Sequence, residues 1–252
     1  MNNLLFVIPH PDDELVGCCT IIRRFLNKKK KIHLFFLTNG VVSKESNWFW
    51  EKNKIDSKVE QRKSEMMLSV KLLGINNISF QNIPTRTLKN YISKTYIEIK
   101  KIIKSKKIDS IFCPAYEGGH QDHDVSNFIC SKFVNKHRVY EFPEYNYLDR
   151  RINCNTFIKL KGNETIINLT KDEKEFKKKC LEVYRSEKSN LTYIKFEIES
   201  FRLLMKYDYL NPPHEGLLFY RRFSLFKWHP RVDGDKPLDV IDKIKRSDIF
   251  TK

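Results

Sequence analysis

Four short apolar runs, at residues 4–8, 32–37, 78–83 and 109–113, are each followed by a stretch whose apolar residues recur at helical spacing. Runs of that length read as strands buried on both faces, and the periodic stretches between them as the helices that carry the crossovers. The first helix carries Leu15, Cys18, Cys19, Ile22, Phe25 and Leu26, and the second spans about residues 57–73, stopped by Gly74. Leu88, Tyr91, Ile92, Ile99 and Ile103 mark a third, and Val125, Phe128, Ile129 and Phe133 a fourth. Such alternation implies right-handed crossovers, so the expected class is α/β, Rossmann-like: a mostly parallel sheet with helices on both faces. After Arg138 the pattern weakens to short strands at 139–142, 156–160 and 165–169, a helix at 172–184 and an aromatic-rich strand at 217–226. A single domain over 1–252 is expected, with a core of about 1–190 and a less regular C-terminal extension over 191–252.

In a parallel sheet every strand-to-helix loop lies on the carboxyl edge, where ligands bind. Two of those loops carry chemistry, Pro9-His10-Pro11-Asp12-Asp13-Glu14 and His120-Gln121-Asp122-His123. Proline and acidic residues suit any helix N-terminus. Capping does not account for His10 at a strand end with Asp13 three residues on, nor for two such loops on one edge. Two imidazoles and a carboxylate are a common donor set for catalytic Zn²⁺, with one position left open. The remaining Asp and His then read as an acid/base pair.

These motifs resemble those of the PIG-L/LmbE family of metal-dependent N-deacetylases, which act on N-acetylglucosaminyl and related amino-sugar conjugates. Glu60-x-Arg62-x-x-Glu65 with Leu73-Gly74, Pro114-Ala115-Tyr116-Glu117-Gly118-Gly119 and Tyr184-Arg185-Ser186-Glu187 extend the resemblance over about residues 1–190. It implies that His10, Asp13 and His123 are metal ligands and Asp12 the general base. His120 would face the oxyanion and the leaving amine, as a protonated or hydrogen-bonding group oriented by Asp122. Arg62 would bind substrate; the alternative is a surface pair with Glu65. The tyrosine that some members place two residues before the second motif's first His falls at Gly118, which leaves the task to Tyr116 or to the metal and His120 alone. Zn²⁺ is the implied cofactor, with Fe²⁺ or Mn²⁺ compatible with the same donors. Two other readings stay open: a non-haem Fe(II) enzyme on the same ligands, and a non-catalytic basic protein that binds glycan or nucleic acid.

The apolar run before Pro9 is too short for a signal segment, and no span of ~20 apolar residues follows, so a soluble, cytoplasmic protein is expected. Six cysteines without C-x-x-C spacing read as buried thiols. The formal charge of +16 comes mainly from lysines spread over helix faces, a pattern that does not call for nucleic acid. It favours a phosphate-bearing small-molecule substrate and is compatible with peripheral membrane contact. Trp48-Phe49-Trp50 suits stacking on a sugar, contact with lipid, or anchoring in the core. Phe142-Pro143-Glu144-Tyr145, His214-Glu215 and His229-Pro230-Arg231 offer polar groups to which the sequence assigns no role.

Overall fold

The first apolar run forms strand β1 (Asn3–Ile8), whose alternate residues serve two cores: Leu4, Phe6 and Ile8 on one face, Leu5 and Val7 on the other. A strand buried on both sides belongs in the middle of a sheet. The computed structural model describes residues 1–226, 228–230 and 232–251. After β1 come α1 (Asp13–Val16), α2 (Cys19–Asn27), β2 (Lys31–Val42), α3 (Ile55–Leu73), β3 (Ile78–Thr85), α4 (Ile92–Lys106), β4 (Ser110–Pro114) and α5 (Gln121–Ser131). The second half adds β5 (Arg138–Phe142), β6 (Tyr145–Asn146), β7 (Asn153–Cys154), β8 (Thr165–Asn168), α6 (Lys171–Leu181), β9 (Ile198–Leu203) and α7 (Pro237–Lys245). The main sheet runs β3-β2-β1-β4-β5-β9-β8, and β6 and β7 pair as a separate ribbon. Its first five strands are parallel, while β9 runs antiparallel to both neighbours.

This is the expected α/β sheet, and its strand order places the site. From β1 the chain steps outward through β2 and β3, then returns to lay β4 on the opposite side of β1. The loops leaving β1 and β4 therefore diverge and open a crevice at the topological switch point. Both motifs lie in those loops.

Several elements differ from the sequence reading. The first helix is broken in two at Gly17, where a Cβ would approach within 2.6 Å of the Phe142 ring. Residues 156–160 form no strand, because their backbone bonds to side chains: Ile158 N donates to Glu117 Oε1 at 2.8 Å, and Lys159 O accepts from Arg202 Nη1 at 2.6 Å. Residues 217–226 form two short 3-10 turns, Phe219–Arg221 and Ser224–Phe226; consecutive burial of Leu218, Phe219 and Tyr220 does not suit a strand with one face covered. Strand β9 escapes sequence reading because its inward positions include charges, Glu199 paired with Lys177 at 2.8 Å and Arg202 with Glu141 at 2.8 Å. The last 62 residues contribute this strand and α7, whose Val240 and Ile244 join the core face of Leu5 and Val7. All six cysteines are buried and unpaired, and no helix among the described residues is long and apolar enough to cross a membrane.

Candidate metal centre

The loop after β1 is tied to β2 through Thr38, whose backbone N–H and hydroxyl both donate to Pro9 O, at 2.9 and 2.8 Å. Across the crevice His120 caps α5, its Nδ1 accepting from Asp122 N at 3.0 Å, and the first turn of that helix carries His123 inward. Three donor atoms meet between the loops. His10 Nδ1 lies 3.0 Å from Asp13 Oδ2, Asp13 Oδ2 lies 3.1 Å from His123 Nε2, and the two nitrogens are 3.2 Å apart. Ligands about 2.0–2.1 Å from one tetrahedral ion stand roughly 3.3 Å from one another, so the triangle fits a divalent cation. Burial alone would raise the Asp13 carboxyl, yet the imidazoles of His123 and His10 hold it well below the carboxylate range. Burial also opposes a cationic His10, but the charge of Asp13 and the bond to Asp122 push its pKa up to about 10. The cluster favours positive charge at its centre.

Asp122 orients His120 through its backbone N–H, while its carboxylate turns to another ring. Its Oδ2 accepts from His10 Nε2 at 3.0 Å, Thr85 Oγ1 at 3.1 Å and Arg86 N at 2.7 Å, while His120 Nδ1 stands 3.6 Å away. The ring it fixes is His10, in the arrangement by which a carboxylate sets the tautomer of a metal-ligating histidine. Because His120 Nδ1 already accepts the cap bond, the proton sits on Nε2; burial, with His10 adding, holds the ring's pKa well below the ordinary value. With Nδ1 occupied by the cap, His120 can donate from Nε2, which corresponds to the hydrogen-bonding form among its two expected ones. Asp122→Asn is expected to weaken divalent-metal binding about 10- to 100-fold with the fold retained. Metal titration beside circular dichroism measures this, and unchanged affinity would separate Asp122 from the centre.

Asp12 occupies the N-cap of α1, but its side chain makes no capping bond, and its backbone is held at φ 122°. That conformation is costly for a residue with a Cβ and persists only under constraint. Glu14 supplies part of it: Oε2 accepts from Asp12 N at 2.9 Å, while Oε1 is gripped by Ser69 Oγ at 2.5 Å and Tyr184 Oη at 2.7 Å. Arg62 is buried, not paired on the surface with Glu65; its Nη1 lies 3.4 Å from Asp12 Oδ2 and its Nη2 bonds Glu187. Glu65 instead accepts from Ser186 N at 3.1 Å. The Tyr184-Arg185-Ser186-Glu187 segment is thus a latch onto Glu14, Arg62 and Glu65. Burial, with Asp13 and Glu187 adding, raises the Asp12 carboxyl well above its usual value against the pull of Arg62 and His10.

Glu144 is a neighbour that sequence reasoning left without a role. It is 3 % exposed, neither oxygen has a hydrogen-bond partner among the described residues, and Oε2 lies 3.8 Å from His123 Nδ1. The cleft above the triangle encloses about 720 Å³ and is walled by Tyr145, Tyr193 and Phe219, with Arg62, Arg86 and Arg222 also lining it. Tyr116 is not part of that wall; its hydroxyl donates to Asn211 O at 2.8 Å and its ring packs on Tyr207 and Tyr209. Phe49 and Trp50 are exposed, so they do not anchor the core. Arg231 lies outside the described residues.

The family model for PIG-L, GlcNAc-PI de-N-acetylase, matches residues 5–134, a span that includes both motifs. Among solved structures, a deacetylase of teicoplanin biosynthesis superposes with a TM-score of 0.65 at 12 % identity, over 82 % of this chain and 99 % of that one. N,N'-diacetylchitobiose deacetylase from Pyrococcus horikoshii gives 0.55 at 18 % identity, over 84 % of each chain. GalB, a 4-carboxy-2-hydroxymuconate hydratase from Pseudomonas putida, gives 0.56 at 12 % identity over 86 % of this chain and 100 % of its own. Likeness of fold at this level thus spans more than one reaction.

Proposed function

This chain belongs to the PIG-L family and is a metal-dependent deacetylase; from that premise we propose that it uses Zn²⁺ to release acetate from an N-acetylated amino-sugar conjugate, with a phosphate-bearing one favoured. The observation that carries this reading is the triangle of His10 Nδ1, Asp13 Oδ2 and His123 Nε2, with sides of 3.0, 3.1 and 3.2 Å, beside the unligated Asp12. Those three residues would hold the ion, which when bound polarises the acetyl carbonyl and lowers the pKa of water to about 7. Asp12, whose raised pKa suits a base, takes the proton of the attacking water as its oxygen bonds to the acetyl carbon. It returns that proton to nitrogen as the C–N bond breaks, leaving a free amine and acetic acid, which releases its proton to solvent as acetate. His120 offers Nε2–H to the oxygen on which negative charge develops. Arg62 holds Asp12 in place and opposes its protonation.

The cleft supports the substrate class by size and lining. Its volume suits a ligand of one or two sugar rings, and Tyr145, Tyr193 and Phe219 supply aromatic faces. The Arg222 guanidinium lies 3.6 Å above the Phe219 ring and has no carboxylate partner among the described residues, which favours an anionic group nearby. Screening the zinc-loaded protein against N-acetylglucosamine, its 1-phosphate, a sugar nucleotide and diacetylchitobiose tests this through released acetate and amine. Turnover strongest with the phosphate-bearing sugars is expected. Retained metal with no acetate from any of them would remove the substrate class.

The pH profile tests the base. Asp12 must be ionised to act, so kcat/KM falls as pH drops through its raised pKa, above the ordinary carboxylate range. Arg62→Gln removes a charge that opposes protonation, so the acid limb is expected to move to higher pH. An unmoved limb would argue that another group is the base.

A further inference from the structure

We infer that the rim of the cleft is a docking surface for an anionic phospholipid bilayer, an inference that stands apart from the identity of the substrate. Two loops build it. In the first, Trp48 stacks on Trp50 with ring centres 5.0 Å apart, and Phe49 and Trp50 are 77 % and 56 % exposed. In the second, Leu225 and Trp228 are 89 % and 66 % exposed, with Phe223 and Phe226 beside them. The loops meet where the rings of Trp48 and Trp228 stand 6.2 Å apart. Asn47 and Glu51 of one and Phe223 and Pro230 of the other line the cleft, so the patch borders its mouth.

Sugar stacking does not account for this surface, since Phe49, Trp50, Leu225 and Trp228 lie outside the cleft wall, where Tyr145, Tyr193 and Phe219 already provide rings. Contiguous exposed apolar groups mark an interaction site, and the charge around them selects the partner. Of the described residues in 44–58 and 217–230, six are Lys or Arg (44, 52, 54, 58, 221, 222) against three Asp and Glu (45, 51, 56). Lys44 and Lys58 pair with Asp56 and Glu51, whereas Lys52 and Lys54 make no ion pair among the described residues. The centres of protein interfaces are depleted in lysine. Tryptophan and phenylalanine interleaved with lysine and arginine is the pattern of surfaces that sit at the headgroup level of acidic membranes. The chain's formal charge of +16 adds longer-range attraction to the same surface.

The chain has three tryptophans, at 48, 50 and 228, so intrinsic fluorescence reports on this rim alone. The zinc-loaded full chain is mixed with phosphatidylcholine vesicles with or without phosphatidylglycerol, and bound protein is measured by flotation. Binding about ten-fold stronger to the anionic vesicles is expected, with tryptophan emission quenched by brominated acyl chains. The double variant Trp50→Ser/Trp228→Ser should lose about ten-fold in binding, and Lys52→Glu/Lys54→Glu at least as much on anionic vesicles only. Both should keep wild-type turnover of a water-soluble substrate, which separates a failure of docking from a failure of the deacetylase reading. No binding to either vesicle, or binding indifferent to the aromatic pair, would overturn the inference. A concentration-dependent dimer abolished by Trp50→Ser/Trp228→Ser, seen by sedimentation velocity without vesicle binding, would assign the surface to a second copy of the chain and overturn it as well.

Discussion

Asp12→Asn is expected to lower kcat by about 10²- to 10⁴-fold, the span of a positioned general base, while zinc content and affinity stay at the wild-type level. The expectation separates two neighbours in sequence. Asp13 faces both imidazoles and is held ionised by them, whereas Asp12 faces Arg62 and is driven toward its neutral form by burial. Asparagine matches aspartate in size and tolerates positive φ better than most residues, so the loop at φ 122° has no new reason to move. The Glu14 tether to the backbone N–H is also untouched. Steady-state rates in zinc-replete buffer, beside metal analysis of the same sample, give the result. A parallel loss of zinc would make Asp12 a ligand and return the base assignment to the open.

His123→Ala is expected to abolish both stoichiometric zinc and turnover, leaving the protein like chelated wild type. The difference is that added zinc restores the chelated wild type and not the variant. Removal of one corner leaves His10 and Asp13, too few donors for an ion that in catalytic sites takes three from the protein. It also removes the imidazole whose pull on the Asp13 carboxyl is the larger of the two. Metal analysis and rate measurement before and after dialysis against chelator and zinc distinguish these cases. Zinc retained by the variant would mean that the ion sits elsewhere, with the second cluster of His10, His120 and Asp122 as the alternative.

What the sequence disclosed about this site follows from how far each interaction reaches. That the His10 and His120–His123 loops would meet was legible because strand ends and helix starts leave local marks and the switch point between β1 and β4 brings them together, whereas the choice of His10, Asp13 and His123 among their donors came from the family resemblance. The partner of Asp122 was not, since whether its carboxylate meets His10 or His120 depends on side-chain direction and on the donors Thr85 and Arg86 from the end of β3. Glu144 and the Ser69–Glu14–Tyr184 chain were hidden for the same reason, their contacts spanning 21 residues for Glu144 and 55 and 170 for the two bonds to Glu14. Strand β9 was masked by ion pairs, and residues 217–226 imitate a strand because aromatic residues suit strands and cleft walls alike.

The latch at residues 184–187 bears on any attempt to shorten this enzyme or transplant its centre. The matched family region stops at residue 134, yet Tyr184 and Glu187, fifty residues later, grip Glu14 beside Asp12 and the arginine that faces Asp12. A fragment ending there would keep His10, Asp13, His123 and Arg62 but lose the carboxylate that holds Arg62 and the hydroxyl that holds Glu14. Grafted onto a foreign scaffold, the two signatures alone are expected to gather a divalent ion without the partners that hold Glu14 and Arg62 in place.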